Sequence, residues 1–431
     1  MSLRNRWLFV ALLAILSGCT STSVRDNSAS STPTSTPTSN QAPSQPETHW
    51  IRTWSTSQQT AEPPFSQATP ERFEQQTVRQ TVHITRGGSK FRVRFSNVFG
   101  VEPLVIGGGR VAIAASTSES VAGSEQHLRF DGAPTSVLPQ GAETYSDEIL
   151  LRVEDDSSLA VTIYLPDATP VSTFHALSSQ TNWVSPTGNF LDRPMPNTST
   201  PTASWFFLSA IDVVAPISAR TIVAFGDSIT DGYLSTVNSN NRWPDRLGVR
   251  LRRDQTLAKK LSVVNSGISG NRLRFDTIGP KGIARLDRDA LVIPGVKYIV
   301  LLEGINDIGL PGTLGRPHEA PTAQDIIESY TALIERAHAR GIKVIGGTLT
   351  PFQGTTTPNY YTTNGETIRV AVNSWIRTSG AFDGIVDFDA ALRDPSNPSR
   401  LRAEYDSGDH LHPNDAGYAA LANAVDLGVF K

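Results

Sequence analysis

From Ala219 to the C-terminus, short continuous apolar runs alternate with longer amphipathic segments, and few folds accept that pattern. The runs cover residues 221–225, 262–265, 298–302, 343–349 and 385–388. A strand that is apolar at every position is buried on both faces, as in a parallel sheet covered by helices. The segments between the runs supply those helices. Residues 322–340 are the clearest. Ile326, Ile327, Tyr330, Leu333, Ile334 and Ala337 fall on one face, and Gly341 stands where a helix end favours glycine. Thr322 and Asp325 have the spacing of a capping pair. Weaker helical patterns cover 243–253, 282–291, 366–379 and 414–427. The expectation for residues 216–431 is an α/β fold with a doubly wound, mainly parallel sheet of about five strands.

Residues 49–215 follow another rule. Runs at 76–84, 91–95, 104–106, 111–114, 149–153 and 159–165 are strand-like, and Gly, Pro, Asn or Ser bound them. Several alternate, as in Phe91-Arg92-Val93-Arg94-Phe95. One apolar and one polar face per strand is the pattern of a β-sandwich. Trp50, Trp54, Phe91, Phe95, Phe99 and Trp183 are core candidates first and sugar-stacking candidates second.

Four short motifs in the second half carry the chemistry. They are Gly226-Asp227-Ser228-Ile229-Thr230, Asn265-Ser266-Gly267-Ile268-Ser269-Gly270-Asn271, Gly304-Ile305-Asn306-Asp307 and Asp409-His410-Leu411-His412. The first three directly follow expected strands, and an open α/β sheet builds its sites at the carboxyl ends of strands. Each motif alone also reads as a plain turn or helix cap. Together they offer a nucleophile, Ser228, and a base, His412, with Asp409 three residues before it to orient the imidazole. Backbone N–H groups and the Asn306 amide can donate to an oxyanion. His410 has less suitable spacing and reads as a surface or turn residue.

The order of these blocks resembles that of the SGNH (GDSL) hydrolase superfamily. The resemblance covers residues 219–431 and implies a serine esterase that forms an acyl-enzyme. It makes Ser228, Asp409 and His412 catalytic, and Ser228, Gly270 and Asn306 the oxyanion hole. It requires no metal and no organic cofactor. No Gly-x-Ser-x-Gly elbow is present, which argues against an α/β-hydrolase. Two N-terminal segments, Val93-Arg94-Phe95-Ser96-Asn97 with Phe99-Gly100-Val101-Glu102-Pro103-Leu104, and Ser179-Gln180-Thr181-Asn182-Trp183, resemble a subgroup with a β-rich region before the catalytic domain. That subgroup includes lysophospholipase-like and xylanolytic esterases. Substrate identity does not travel with that resemblance; for a chain facing outward among polymers and lipids, short acyl esters, O-acetyl groups on polysaccharide above all, are the expected substrate, with lipid esters as the alternative. Trp243, Phe352, Tyr360 and Tyr361 are candidate substrate-binding residues, with plain packing as the competing reading. A different class of function is a surface carbohydrate-binding lipoprotein that retains the fold without turnover.

The N-terminus bears on location. Arg4 and Arg6 precede an apolar stretch too short to span a bilayer, and Leu16-Ser17-Gly18-Cys19 resembles a bacterial lipobox. Residues 1–19 thus read as a lipoprotein signal peptide, with Cys19 the lipidated residue and the membrane reached through it. Cys19 is the only cysteine, so no disulfide can form within the chain. Residues 20–48, nearly all Ser, Thr, Pro, Asn and Gln, read as a solvated tether. The expected location is the bacterial cell envelope. Thr20 stands where an Asp would favour inner-membrane retention, which points to the outer membrane. With 38 Lys and Arg against 41 Asp and Glu, nothing favours a nucleic-acid partner.

Overall fold

The computed structural model describes residues 47–61 and 70–431. The expected signal peptide, Cys19 and nearly all of the tether lie outside the described residues.

The alternating strands of the N-terminal half form two antiparallel sheets that face each other. One places Thr48–Ser55, Leu208–Pro216 and Gly88–Ser96 side by side, with Glu143–Tyr145 and Ile149–Val153 both paired to Gly88–Ser96. The other runs Thr200–Thr202, Asn182–Thr187, Gln76–Ile84, Ser157–Leu165, Gly108–Ile113, Gln126–His127. Phe91, Val93 and Phe95 are buried while Arg92 and Arg94 between them are partly exposed. They share one apolar core with Val78, Val82, Val161 and Ile163 of the facing sheet. Trp54 is part of this core, edge-on to Trp205 at 5.0 Å.

After Pro216 the chain enters a five-stranded parallel sheet. Its strands are Arg220–Gly226, Leu261–Gly267, Val296–Leu302, Lys343–Gly347 and Gly384–Val386. Their spatial order is second, first, third, fourth, fifth, all parallel. Reversal of winding beside the first strand opens a crevice at the carboxyl ends of the strands, where doubly wound folds bind ligands. The helices are α1 (Ser228–Asp231), α2 (Trp243–Arg253), α3 (Gly282–Leu286), α4 (Ile305–Thr313), α5 (Ala323–His338), α6 (Thr363–Thr378), α7 (Phe388–Leu392) and α8 (Asp415–Ala424). Thr322 and Asp325 form the reciprocal capping box at the start of α5.

Some elements differ from the sequence expectation. The fifth strand stops at Val386, because the Asp387 side chain accepts from Ala390 N–H and starts α7 at Phe388. The helix expected over 282–291 is α3 followed by a π-helical turn, Asp287–Leu291. Helix α4 is not among the helices the sequence pattern predicts, and it holds Gly309, Pro311 and Gly312. Gly309 is used for close approach: a Cβ there would lie 2.3 Å from the Tyr360 ring.

The sandwich covers an edge of the parallel sheet. Leu261–Gly267 is an edge strand, and Val263 in it is buried. The Thr85 hydroxyl accepts from Val263 N–H at 3.0 Å and donates to Val263 C=O at 2.9 Å. Ser262 Oγ donates to Arg52 C=O at 2.6 Å. Side chains thus satisfy backbone groups that an exposed edge would leave open. The described residues form one compact unit.

Candidate active site

Ser228 opens α1 directly after the first parallel strand. Asp227 caps that turn, its Oδ1 accepting from Ile229 N–H at 3.0 Å, and the turn ends on Gly232. The first N–H groups of a helix lack partners within it, and among the described residues no acceptor takes the N–H of Ser228. The hydroxyl lies 2.8 Å from His412 Nε2, although residue 412 is 184 positions further along the chain. Tyr233 packs edge-on against the imidazole at 4.8 Å.

Asp409 holds the other side of that ring. Its Oδ2 is 2.6 Å from His412 Nδ1, so Nδ1 is the donor to the carboxylate and Nε2 is left to accept from Ser228. Asp409 Oδ1 accepts from His412 N–H at 2.8 Å, Leu411 N–H at 3.0 Å and Ser407 Oγ at 3.1 Å. Burial alone would raise the Asp409 carboxyl. The His412 hydrogen bond and charge, with the two backbone N–H groups, outweigh it and hold the group well below the usual carboxylate range. His410 is exposed, at φ 60°, and bonds to Asp406 through Nδ1.

The second and third motifs meet across the crevice. Asn271 N–H donates to Ile268 C=O at 3.0 Å, closing a turn with Gly270 at φ 78°. Only glycine adopts that conformation without strain, and a Cβ there would also lie 2.4 Å from Ile278 Cδ1. Asn306 sits in the first turn of α4, buried. One of its amide hydrogens goes to Asn271 C=O at 2.9 Å, and its Oδ1 accepts from Tyr360 Oη–H at 2.8 Å. The second amide hydrogen remains to be given. Asp307 ties the same turn to the second motif, accepting from Leu273 N–H at 2.7 Å and Arg274 N–H at 3.1 Å. Burial pushes the Asp307 carboxyl up to about 6.

Beneath these groups lies Arg285, fully buried and not anticipated from the sequence. It donates to Asn271 Oδ1 at 2.7 Å, Ser266 C=O at 2.7 Å, Gly226 C=O at 2.8 Å and Glu303 Oε2 at 3.0 Å. Its guanidinium lies 3.9 Å from the centre of the Phe225 ring. One cation thus ties together the ends of three strands. No local signal marks it, since its partners lie 14 to 59 residues away on separate elements.

The candidate substrate-binding aromatics are corrected by burial. Trp243 is fully buried in the apolar core, packed on Phe388 at 5.6 Å. Phe352 is also fully buried, edge-on to Tyr360 and to Tyr361. A substrate cannot reach either. Tyr360 is buried too, but its hydroxyl holds Asn306. Burial, with the charges of Asp227, Asp307 and Asp409, raises that phenol well above its ordinary value, so it stays a donor. Tyr361 is partly exposed at the rim of this cluster. Among the described residues, no group of three or more His, Cys, Asp or Glu side chains is arranged to hold a metal ion, and no helix is long and apolar enough to cross a membrane.

The parallel sheet and the residues gathered at its carboxyl edge define a class, that of the ester hydrolases. Residues 224–420 match the family model described as GDSL-like Lipase/Acylhydrolase. Similar solved structures include a G-D-S-L family protein from Desulfitobacterium hafniense DCB-2, 22% identical with TM-score 0.35, covering 48% of this chain and 97% of its own. The aryl esterase of M. smegmatis is 18% identical with TM-score 0.38, covering 48% of this chain and 96% of its own. The acetyl xylan esterase AlAXEase is 18% identical with TM-score 0.36, covering 47% of this chain and 96% of its own. No curated protein matches the chain.

Proposed function

We propose that the protein is a serine esterase of the cell envelope that removes short acyl groups, O-acetyl groups on polysaccharide foremost. The observation that carries the mechanism is the unbroken chain Asp409 Oδ2–His412 Nδ1, His412 Nε2–Ser228 Oγ, at 2.6 and 2.8 Å. In the first step His412 Nε2 takes the Ser228 proton as Oγ attacks the ester carbonyl. The N–H groups of Ser228 and Gly270 and the second amide hydrogen of Asn306 receive the oxyanion. His412 then returns the proton to the departing alkoxide, which leaves as the alcohol. Water, deprotonated by the same imidazole, attacks the acyl-serine and releases the acid. Asp409 keeps the imidazole in the productive tautomer throughout.

The preference for short acyl groups rests on what surrounds Ser228. Phe352 and Tyr360 point into the core rather than opening an acyl channel. A second reading, a lysophospholipid or other lipid ester, has one observation in its favour. Tyr233, which packs on His412, and Leu234 and Val237 after it are 40%, 46% and 55% exposed. Anchoring through a lipidated Cys19, in the outer membrane, completes the proposal and places the enzyme against envelope polymers and lipids.

The test is acid release by the full chain and by Ser228→Ala, on acetylated xylan and on a lysophospholipid. Serine-dependent acetate release supports the carbohydrate ester. Fatty-acid release alone replaces it with the lipid reading. Sugar affinity without turnover in either protein would make it a binding lipoprotein.

A further inference from the structure

The β-rich half sends one histidine into direct contact with the nucleophile turn. His175 ends the strand Thr173–His175 and is 1% exposed. Its Nδ1 lies 2.8 Å from Ser57 C=O, and its Nε2 lies 2.9 Å from Asp231 Oδ1. Asp231 is the last residue of α1, three positions after Ser228. Its other oxygen accepts both from Ser269 N–H at 2.9 Å and from Ser269 Oγ–H at 2.8 Å. Ser269 directly precedes Gly270, so these two bonds hold, through its N–H and its side chain, the residue whose carbonyl carbon bears the Gly270 N–H.

The protonation of the pair follows from its partners. A carbonyl only accepts, so Nδ1 carries a hydrogen. Asp231 accepts from Ser269 as a carboxylate does, and His175 Nε2 then donates to it. Burial alone would lower the His175 pKa; the charge and hydrogen bond of Asp231 raise it against that penalty. Trp205 packs against the ring at 5.7 Å. Arg242 is the other cation nearby, and it is bound to Asp245 at 2.7 Å.

We propose that His175, a residue of the β-rich half, is a positioning residue for ester hydrolysis: through Asp231 it fixes Ser269 and so aims the Gly270 N–H at the oxyanion. The separations involved, 56 residues from His175 to Asp231 and 38 from Asp231 to Ser269, make this a tertiary device. The β-rich half is thus part of the catalytic apparatus. The simpler alternative is that the pair only fastens the two halves together. The proposal rests on Ser228 as nucleophile and Gly270 as oxyanion donor.

The two readings separate in kcat per active site. An oxyanion donor acts mainly in the transition state, so misplacing it lowers kcat and leaves KM nearly unchanged. Loss of a fastening lowers the number of folded sites instead. The full chain, His175→Ala, His175→Gln and Ser269→Ala are assayed on p-nitrophenyl acetate, with active sites counted by a fluorophosphonate. In His175→Ala, kcat per counted site falls about tenfold or more, with KM within about threefold. Ser269→Ala falls in the same direction by less. His175→Gln, whose amide can still donate to Asp231, recovers most of the loss. A kcat per site within about twofold of wild type in both His175→Ala and Ser269→Ala overturns the proposal. If His175→Ala does not fold, an unchanged kcat in Ser269→Ala overturns it alone. Ser228→Ala runs alongside, and full activity there would remove the nucleophile reading itself.

Discussion

Tyr360 donates its hydroxyl to Asn306 Oδ1 at 2.8 Å, and this contact decides which end of the Asn306 amide faces the crevice. With Oδ1 occupied by a donor, the NH₂ end points to Asn271 C=O and to the open side. A flipped amide would present an oxygen to an oxyanion. Tyr360→Phe removes the constraint and leaves the ring packing on Phe352 in place. The expected outcome is a kcat lower by about tenfold with KM little changed, less than the ~3 kcal/mol lost when a donor is deleted outright. Stability drops by about 1 kcal/mol. Steady-state kinetics on a short-chain ester check this, and an unaltered kcat would mean that Asn306 orients itself without help.

Asp409 is the second point of leverage. Asp409→Asn keeps the shape but offers an amide N–H₂ or a neutral carbonyl to His412 Nδ1 in place of a carboxylate. The imidazole then loses both its tautomer control and its counter-charge. A fall in kcat on the order of 10³-fold or more is expected, the scale seen when the orienting carboxylate of a Ser-His-Asp triad is neutralised. Single-turnover acylation measures it directly. A loss below about tenfold would demote Asp409 from the catalytic set.

What could be read from the chain, and what could not, divides by distance. The parallel strands declared themselves through uninterrupted apolar runs such as that of 298–302, and α5 through its stripe and its Thr322–Asp325 cap. Those signals are local. The first three motifs were legible because each sits in the few residues after a strand, where turn chemistry and site chemistry coincide, and the fourth through the three-residue spacing of Asp409 and His412. Helix α4 was not legible, because Gly309 and Pro311 weaken every helical cue; the gap that Gly309 leaves is occupied by a Tyr360 ring from elsewhere in the chain. For Tyr360 the sequence left pocket lining and packing both open, since an aromatic in a loop after a strand gives no sign of where its hydroxyl goes; the ring is buried and its hydroxyl reaches Asn306. Arg285 and His175 were invisible for the same reason. The partners of Arg285 lie 14 to 59 residues away on several elements, and His175 meets Asp231 across 56 residues.

The buried acids under the site should make the fold sensitive to alkali. Burial, together with the neighbouring carboxylates Asp227 and Asp307, pushes Glu303 up to about 8 despite Arg285 at 3.0 Å, and burial pushes Asp227 up to about 7. In the folded protein Glu303 therefore holds its proton to about pH 8, while in the unfolded chain it ionises near 4.5. Across that window the folded state binds more protons than the unfolded one. Stability accordingly falls as pH rises through it, and levels off above the folded value. Melting temperatures taken at about pH 5, 6, 7, 8 and 9 should decline for the wild type. Glu303→Gln, which still offers Arg285 an acceptor, should decline less. Equal slopes in the two proteins would place the proton uptake elsewhere.

Thr85 tests how far the sandwich supports the sheet through its edge. Its hydroxyl is the partner of both backbone groups of Val263, and both residues are buried. Thr85→Val has nearly the same shape and keeps the methyl that packs toward Gly248. It leaves a buried N–H and a buried C=O unpaired in an edge strand. Unsatisfied buried groups cost about 1–3 kcal/mol each, so the urea midpoint should fall clearly with the slope unchanged. Thr85→Ser restores the hydroxyl and should return most of the stability. Because Thr85 touches none of the reacting groups, kcat per active site should stay within about twofold in both variants. A midpoint unmoved by Thr85→Val would mean that water or a backbone shift serves Val263 equally well, and that the parallel sheet needs no such cover on that edge.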